Sequence, residues 1–258
     1  MPEAFFIRDG DRYLPTELTR GPWDPNAQHG GPPAALLGTL LERCERREDS
    51  MVVRLTFEIL KPVPLTPLAV ETRMLRPGRS VQVLGGSLFA SGEEVVRAHA
   101  VRIRTADVAV PEPPPDAPPG PEKGKTPRFF PSGQQIGWHT AMEASFVRGN
   151  FTEPGPGTAW LRMRYPLIAG EPVAPLARVL MVADAGNGVS AVLDYRRFLF
   201  INPDLTVYLH RYPLGEWVCI EAETTPTPRG VGLAASALYD RQGPLGRGLQ
   251  SLFIAERQ

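Results

Sequence analysis

Residues 172–188, PVAPLARVLMVADAGNG, constrain the fold more than any other stretch of the chain. Val173, Leu176, Ala177, Val179, Leu180, Met181, Val182 and Ala183 place apolar side chains on nearly every face of a helix. Such a helix has to be wrapped by other elements. It ends at a single carboxylate, Asp184, with Gly186-Asn187-Gly188 reading as its stop. Burial and the negative end of the helix macrodipole both disfavour an ionised carboxyl there, which is the tuning a general base needs. A plainer reading stands beside this one, in which Asp184 only bonds its own backbone.

The order of elements around this helix occurs twice. In the first half, short strand-like pieces at Ala4 to Ile7 and Tyr13 to Leu14 lead through the loop GPWDPNAQHGG into a helix, PPAALLGTLLERCERR. Leu36, Leu37, Leu40, Leu41 and Cys44 sit at helical spacing in it, and Pro32 and Pro33 suit a first turn. A meander follows, with runs at Met51 to Leu60, Leu68 to Leu75, Ser80 to Ala90 and Glu94 to Arg104. In the second half, runs at Ala141 to Phe151 and Ala159 to Arg164 precede the 172 helix. Runs at Asp194 to Ile201, Thr206 to Tyr212, Glu216 to Thr224, Val231 to Tyr239 and Gly248 to Ala255 follow it. This order predicts an internally duplicated α+β chain, with domains at 1–105 and 128–258. Between them, residues 106–127 are rich in proline, lack any period and read as a semi-rigid extended linker.

Composition removes several function classes. The 28 basic and 28 acidic residues cancel, which argues against a nucleic-acid partner or an anionic-membrane field. The four histidines (29, 99, 139 and 210) show no metal spacing, and Cys44 and Cys219 form no CxxC pair, so no metal and no cofactor are expected. The cysteine usage fits a reduced, cytoplasmic protein, and MPEAFFIRDGDR has no signal-peptide pattern. Gly188-Val-Ser190-Ala-Val192 lacks the second glycine of a nucleophile elbow.

A helix enclosed by a curled antiparallel sheet, repeated in one chain, resembles a double hotdog: two helix-wrapped antiparallel sheets. His29-Gly30-Gly31 before an apolar helix is similar to the loop of hotdog thioesterases. Thr206-Val-Tyr-Leu-His210-Arg211 with Gly215-Glu216-Trp217, and the ending GPLGRGLQSLF, resemble acyl-CoA thioesterase II. That family hydrolyses fatty acyl-CoA. In it an Asp on the second helix, a Thr or Ser on the next strand and a Gln on the last strand hold the attacking water. The resemblance implies these roles for Asp184 and Gln250, with Asn202 at the Thr position and Thr206 nearby, and leaves open which of the latter two positions the water.

On this reading Asp184 is the base, and a backbone amide at Gly30 or Gly31 stabilises the oxyanion. The halves are complementary in what they lack. Single-domain hotdog thioesterases often carry the acid nine residues after the His, and here that position is Gly38. Nine residues before Asp184 stands Pro175, with no His-Gly-Gly after it. One composite site between the halves follows. Its substrate would be an acyl-CoA or an acyl carrier protein thioester, its tunnel lined by Leu36, Leu37, Leu40, Met181 and Val189, and exposed sheet edges would allow a homo-oligomer. Arg43, Arg46, Arg47 and Arg54 stand where coenzyme A phosphates could meet them, although a solvated helix end accounts for them more simply. Trp138, Trp160 and Trp217 read as packing residues.

Two rivals remain. Asp24-Pro-Asn26-Ala-Gln-His29 resembles the signature of hotdog enoyl-CoA hydratases, where the Asp and His are the acid–base pair. Alternatively, Asn202 marks the decay of the site and the chain is a non-catalytic acyl-CoA-binding protein.

Overall fold

The structure, a computed structural model, describes residues 3–111, 116–127 and 133–257. The first half runs β1 (Phe6–Asp9), β2 (Arg12–Pro15), α1 (Gly31–Arg43), β3 (Ser50–Ile59), β4 (Leu68–Arg76), β5 (Val81–Ala90) and β6 (Glu93–Arg104). The second half opens with α2 (Trp138–Ala141), β7 (Met142–Asn150) and β8 (Glu153–Met163). It continues through α3 (Pro175–Ala183), α4 (Gly186–Val189), β9 (Phe198–Ile201), β10 (Asp204–Leu209), β11 (Val218–Pro226), β12 (Val231–Asp240) and β13 (Gly243–Glu256).

These form one 13-stranded antiparallel sheet in the order β1-β2-β4-β5-β6-β3-β10-β13-β12-β11-β8-β7, with β9 added on β13. The halves join at β3 and β10, where Phe57 pairs with Leu205 and Thr56 with Thr206. Strand alternation turns Leu55, Phe57, Leu205 and Val207 inward to the core. α1 lies on the first half's strands, α3 on the second half's, and the two helices pack on each other. Their approach is close: a Cβ on Gly38 would stand 2.1 Å from Leu180 Cδ1. Any side chain at position 38, an acid included, would have to displace the buried Leu180.

The wrapped helix is as expected, since residues 176–177 and 179–183 are all buried. Gly186-Asn187-Gly188 is not a stop, however, but the start of α4. Gly186 serves close approach instead, because a Cβ there would lie 2.8 Å from Gln250 Oε1. α1 ends earlier than its apolar pattern suggested, at Arg43. The buried Arg102 guanidinium terminates it, donating to the carbonyls of Leu41, Glu42, Cys44 and Glu45 at 2.8–3.1 Å. Those are the orphan acceptors of a helix end.

Residues 116–127 are not a free spacer. Trp160 Nε1 donates to the Pro119 carbonyl at 2.7 Å, Ser145 Oγ to Pro121 at 2.6 Å, and Lys125 bridges Phe146. This strap covers part of β7, an edge strand. Positions 112–115 of the expected linker, with 1–2, 128–132 and 258 of the expected domains, lie outside the described residues. Among the described residues no helix is long and apolar enough to cross a membrane.

Candidate functional site

Asp184 caps the C-terminus of α3 and is 4% exposed. Asn202 Nδ2 donates to its Oδ1 at 2.9 Å and Gln250 Nε2 to the same atom at 3.3 Å. Both partners are themselves held. Asn202 Nδ2 also donates to the Asp204 carbonyl at 3.1 Å. Gln250 Nε2 also donates to the Asp184 carbonyl at 3.1 Å, and its Oε1 accepts the Asn187 amide at 3.1 Å. The last strand, the residue after β9 and the first turn of α4 thus fix one carboxyl plane.

The other carboxyl oxygen faces the first half. Asp184 Oδ2 lies 3.1 Å from His29 Nδ1, and the Gly31 amide donates to that nitrogen at 3.0 Å. A ring nitrogen that accepts an amide hydrogen carries no proton, so a proton on this pair belongs to the carboxyl. The titration of both groups agrees. Burial pushes Asp184 up to about 7, against the Asn202, Gly31, Gln250 and Gly30 hydrogen bonds that favour its charge. Burial, helped by His139, pulls His29 down to about 3. His29 is neutral at physiological pH, while Asp184 sits near the midpoint of its titration. The carboxyl also meets the positive end of α1, which favours its charge; the α3 terminus and burial act the other way, and burial is the largest influence.

His29 is itself braced from the second half. Its ring stacks on Trp138 with centroids 4.1 Å apart and planes 4° from parallel. The Trp138 amide donates to the Arg20 carbonyl at 2.9 Å, and Arg20 Nη1 to the Ile136 carbonyl at 3.3 Å. Trp138 is therefore more than a packing residue. Its role was not legible, because the stack joins positions 109 residues apart.

Of the expected residues, the structure brings Asp184, Asn202, Gln250, His29, Gly30 and Gly31 together. Thr206 is not among them: it lies on the opposite face of β10, with its Oγ1 3.3 Å from Thr56 Oγ1 at the seam. Alternation along a strand forbids it from sharing the inward face with Leu205. Asp24 does not approach His29 either. It is exposed, and its Oδ1 caps a turn by accepting the Asn26 amide at 2.8 Å.

A small apolar cavity opens beside Asp184 and Gly30, lined by Pro33, Ala34, Phe57, Val63, Val96 and Leu205. The expected tunnel residues Leu36, Leu37, Leu40, Met181 and Val189 are packed in the surrounding core instead. Arg43 and Arg47 stand at the far end of α1, about 18 Å from Gly31 at the helical rise. They pair there with Glu171 and Asp49 at 2.6 and 3.2 Å.

The fold has solved counterparts. A protein designated a thioesterase II from Thermobifida fusca is 18% identical, with TM-score 0.75, covering 97% of this chain and 95% of that one. A hot dog fold protein from Alicyclobacillus acidocaldarius is 18% identical, with TM-score 0.72 over 98% and 96%. An acyl-CoA thioesterase II from Mycobacterium marinum is 15% identical, with TM-score 0.67 over 97% and 94%. At these identities the likeness establishes a hotdog fold. No curated protein matches the sequence. The acyl-CoA thioesterase N-terminal domain family matches residues 19–103, and the acyl-CoA thioesterase C-terminal domain family matches residues 111–254. Those two matches span the His29 loop and the carboxyl cluster alike, and the chain belongs to the acyl-CoA thioesterase family of thioester-hydrolysing enzymes.

Proposed function

We propose that the chain is a double-hotdog thioesterase, units 1–105 and 128–258 joined by 106–127, which hydrolyses acyl-CoA at one composite site. The observation that carries this reading is the 3.1 Å approach of Asp184 Oδ2 to His29 Nδ1, a carboxyl from one half against the loop of the other. No cofactor takes part, and the enzyme is cytoplasmic.

In its ionised form Asp184 accepts a proton from a water held by Asn202 and Gln250. The water oxygen forms a bond to the thioester carbon, and the carbonyl oxygen becomes negative against an amide of Gly30, or of Gly31 once that amide turns from His29 Nδ1. Collapse of that adduct breaks the carbon–sulfur bond, and the proton held by Asp184 passes to the departing thiolate. The acyl group enters over the β3–β10 seam, beneath the first turn of α1, where Phe57, Val63, Val96 and Leu205 move apart to admit it. Neutral His29 lies against Oδ2 and does not compete for the proton that Asp184 takes up, while Asn202 and Gln250 hold the ionised carboxyl.

Thiol release from acyl-CoA tests this. Asp184→Ala is expected to lower turnover on the order of 100-fold or more, while Asp24→Ala leaves it intact. The reverse pattern, or loss of enoyl absorbance without thiol release, would give the site to a hydratase. Tight acyl-CoA binding with neither reaction would make the chain a carrier.

A further inference from the structure

Side chains alternate along a strand, so Phe198 and Phe200 share the face of β9 that leads to Asn202 and the carboxyl. Trp23, from the loop that ends in His29, covers Phe200 edge-on with centroids 5.8 Å apart, and lies 6.4 Å from Tyr195. Three exposed arginines gather at the outer end of this face. The Arg197 guanidinium lies 5.4 Å over the Phe198 ring and that of Arg196 5.6 Å over Tyr195. Arg257 Nε donates to the Tyr195 and Phe198 carbonyls at 2.8 and 3.2 Å, bringing the end of the chain alongside.

None of the three forms an ion pair with a described carboxylate, unlike Arg20, Arg43 and Arg47. Asp194 Oδ1 accepts the Arg196 amide at 2.9 Å, and a hydrogen bond to Tyr195 together with the Asp194 charge holds the Arg196 guanidinium in its charged form without an ion-pair contact. Glu256 lies across from Phe198 on β13 and is not within ion-pair distance of any of them. Four residues of strand separate Phe198 from Asn202, about 13 Å at the β rise. That is about the reach of a pantetheine arm, whose length is on the order of four or five extended residues.

We infer that Arg196, Arg197 and Arg257, at the outer end of β9, form the docking site for the phosphate-bearing nucleotide of coenzyme A, with the exposed Trp23 between them and the carboxyl. The inference rests on the composite-site reading, which fixes where the thioester carbon sits. It selects a coenzyme A thioester over a carrier-protein one, because guanidinium groups stacked on aromatic rings present forks to phosphate oxygens.

The test is the double variant Arg196→Ala/Arg197→Ala, assayed with one acyl group on coenzyme A and on N-acetylcysteamine, which lacks the nucleotide. The expected result is a KM for acyl-CoA raised about tenfold and a drop of similar size in the ratio of the two kcat/KM values. A ratio that stays within about twofold of wild type overturns the assignment. Calorimetry with free coenzyme A and with pantetheine separates this failure from that of the hydrolase reading. Weaker coenzyme A binding by the double variant supports the site even if no thioester is turned over. Wild-type protein that binds coenzyme A no more tightly than pantetheine, or acts only on a carrier-protein thioester, overturns it.

Discussion

Asp184 reaches the backbone of Gly30 from the opposite helix so closely that a Cβ on residue 30 would stand 2.7 Å from its Oδ2. Gly30 caps α1 without a side chain, and the carboxyl of the other half takes the place of that cap. Gly30→Ala is therefore expected to push the carboxyl off its plane. Turnover should fall on the order of 100-fold, because a displaced base and a displaced amide donor fail together. Steady-state thiol release measures the loss, and an unchanged circular dichroism spectrum shows that the fold survives.

The titration of Asp184 gives the pH dependence a sign. The base works ionised, so kcat/KM should climb tenfold per pH unit below about 7 and level off above it. Stability moves the other way for this group. Its folded pKa is raised from 3.8, so its contribution is full below that value and is lost as pH rises through about 7. His29, lowered from 6.5 to about 3, contributes fully above 6.5 and loses that contribution as pH falls toward 3. Asp184→Asn should consequently gain thermal stability over wild type at pH 8 and little at pH 5, as thermal melts at both pH values will register.

Gln250 and Asn202 hold the same oxygen but are not equivalent. Gln250 is 1% exposed and satisfies the Asn187 amide as well as two oxygens of Asp184. Gln250→Leu strips the Asn187 amide of this acceptor and leaves Asp184 Oδ1 with Asn202 alone, at a cost of about 1–3 kcal/mol per buried group left unsatisfied. It should lower both the denaturation midpoint and kcat. Asn202→Ala removes two half-buried bonds, to Asp184 Oδ1 and to the Asp204 carbonyl, and should lower kcat by about tenfold with a smaller change in midpoint than Gln250→Leu. Thr206→Val, on the outer face, should change kcat by less than about twofold.

Trp138 gives a prediction that packing alone would not. Trp138→Phe keeps a ring beneath His29 and should keep most of the turnover. Trp138→Leu frees the imidazole plane, and kcat should fall by about tenfold or more with the pH profile displaced. Equal losses in the two variants would reduce Trp138 to filler.

Much of this was legible in the sequence for local reasons. The apolar girth of residues 175–183 required a wrapped helix. Pro32 and Pro33 marked the start of α1, and the period-2 runs marked β3 to β6 and β10 to β13. Asp184 stood out because it is the one carboxylate in its apolar stretch. Glycines were harder: Gly186 resembles a terminator in one dimension, whereas its purpose is to admit Gln250 from 64 positions away. Thr206 and Asn202 lie four residues apart, and only the run of the backbone into β10 turns one outward and the other toward the carboxyl.

By itself the sequence determined most of the elements, their order along the chain and the chemical types at the site, since these depend on periodicity and on which residues a helix or strand tolerates. Tertiary structure alone decided the partners: His29 on Trp138, Asp184 against Gly30, Arg102 on the end of α1, Arg211 Nη1 and Nη2 on the buried Asp240 at 2.6 Å each. The physical reason is that burial sets the pKa of Asp184. Burial belongs to the packing of one half on the other, which neither stretch of sequence encodes alone.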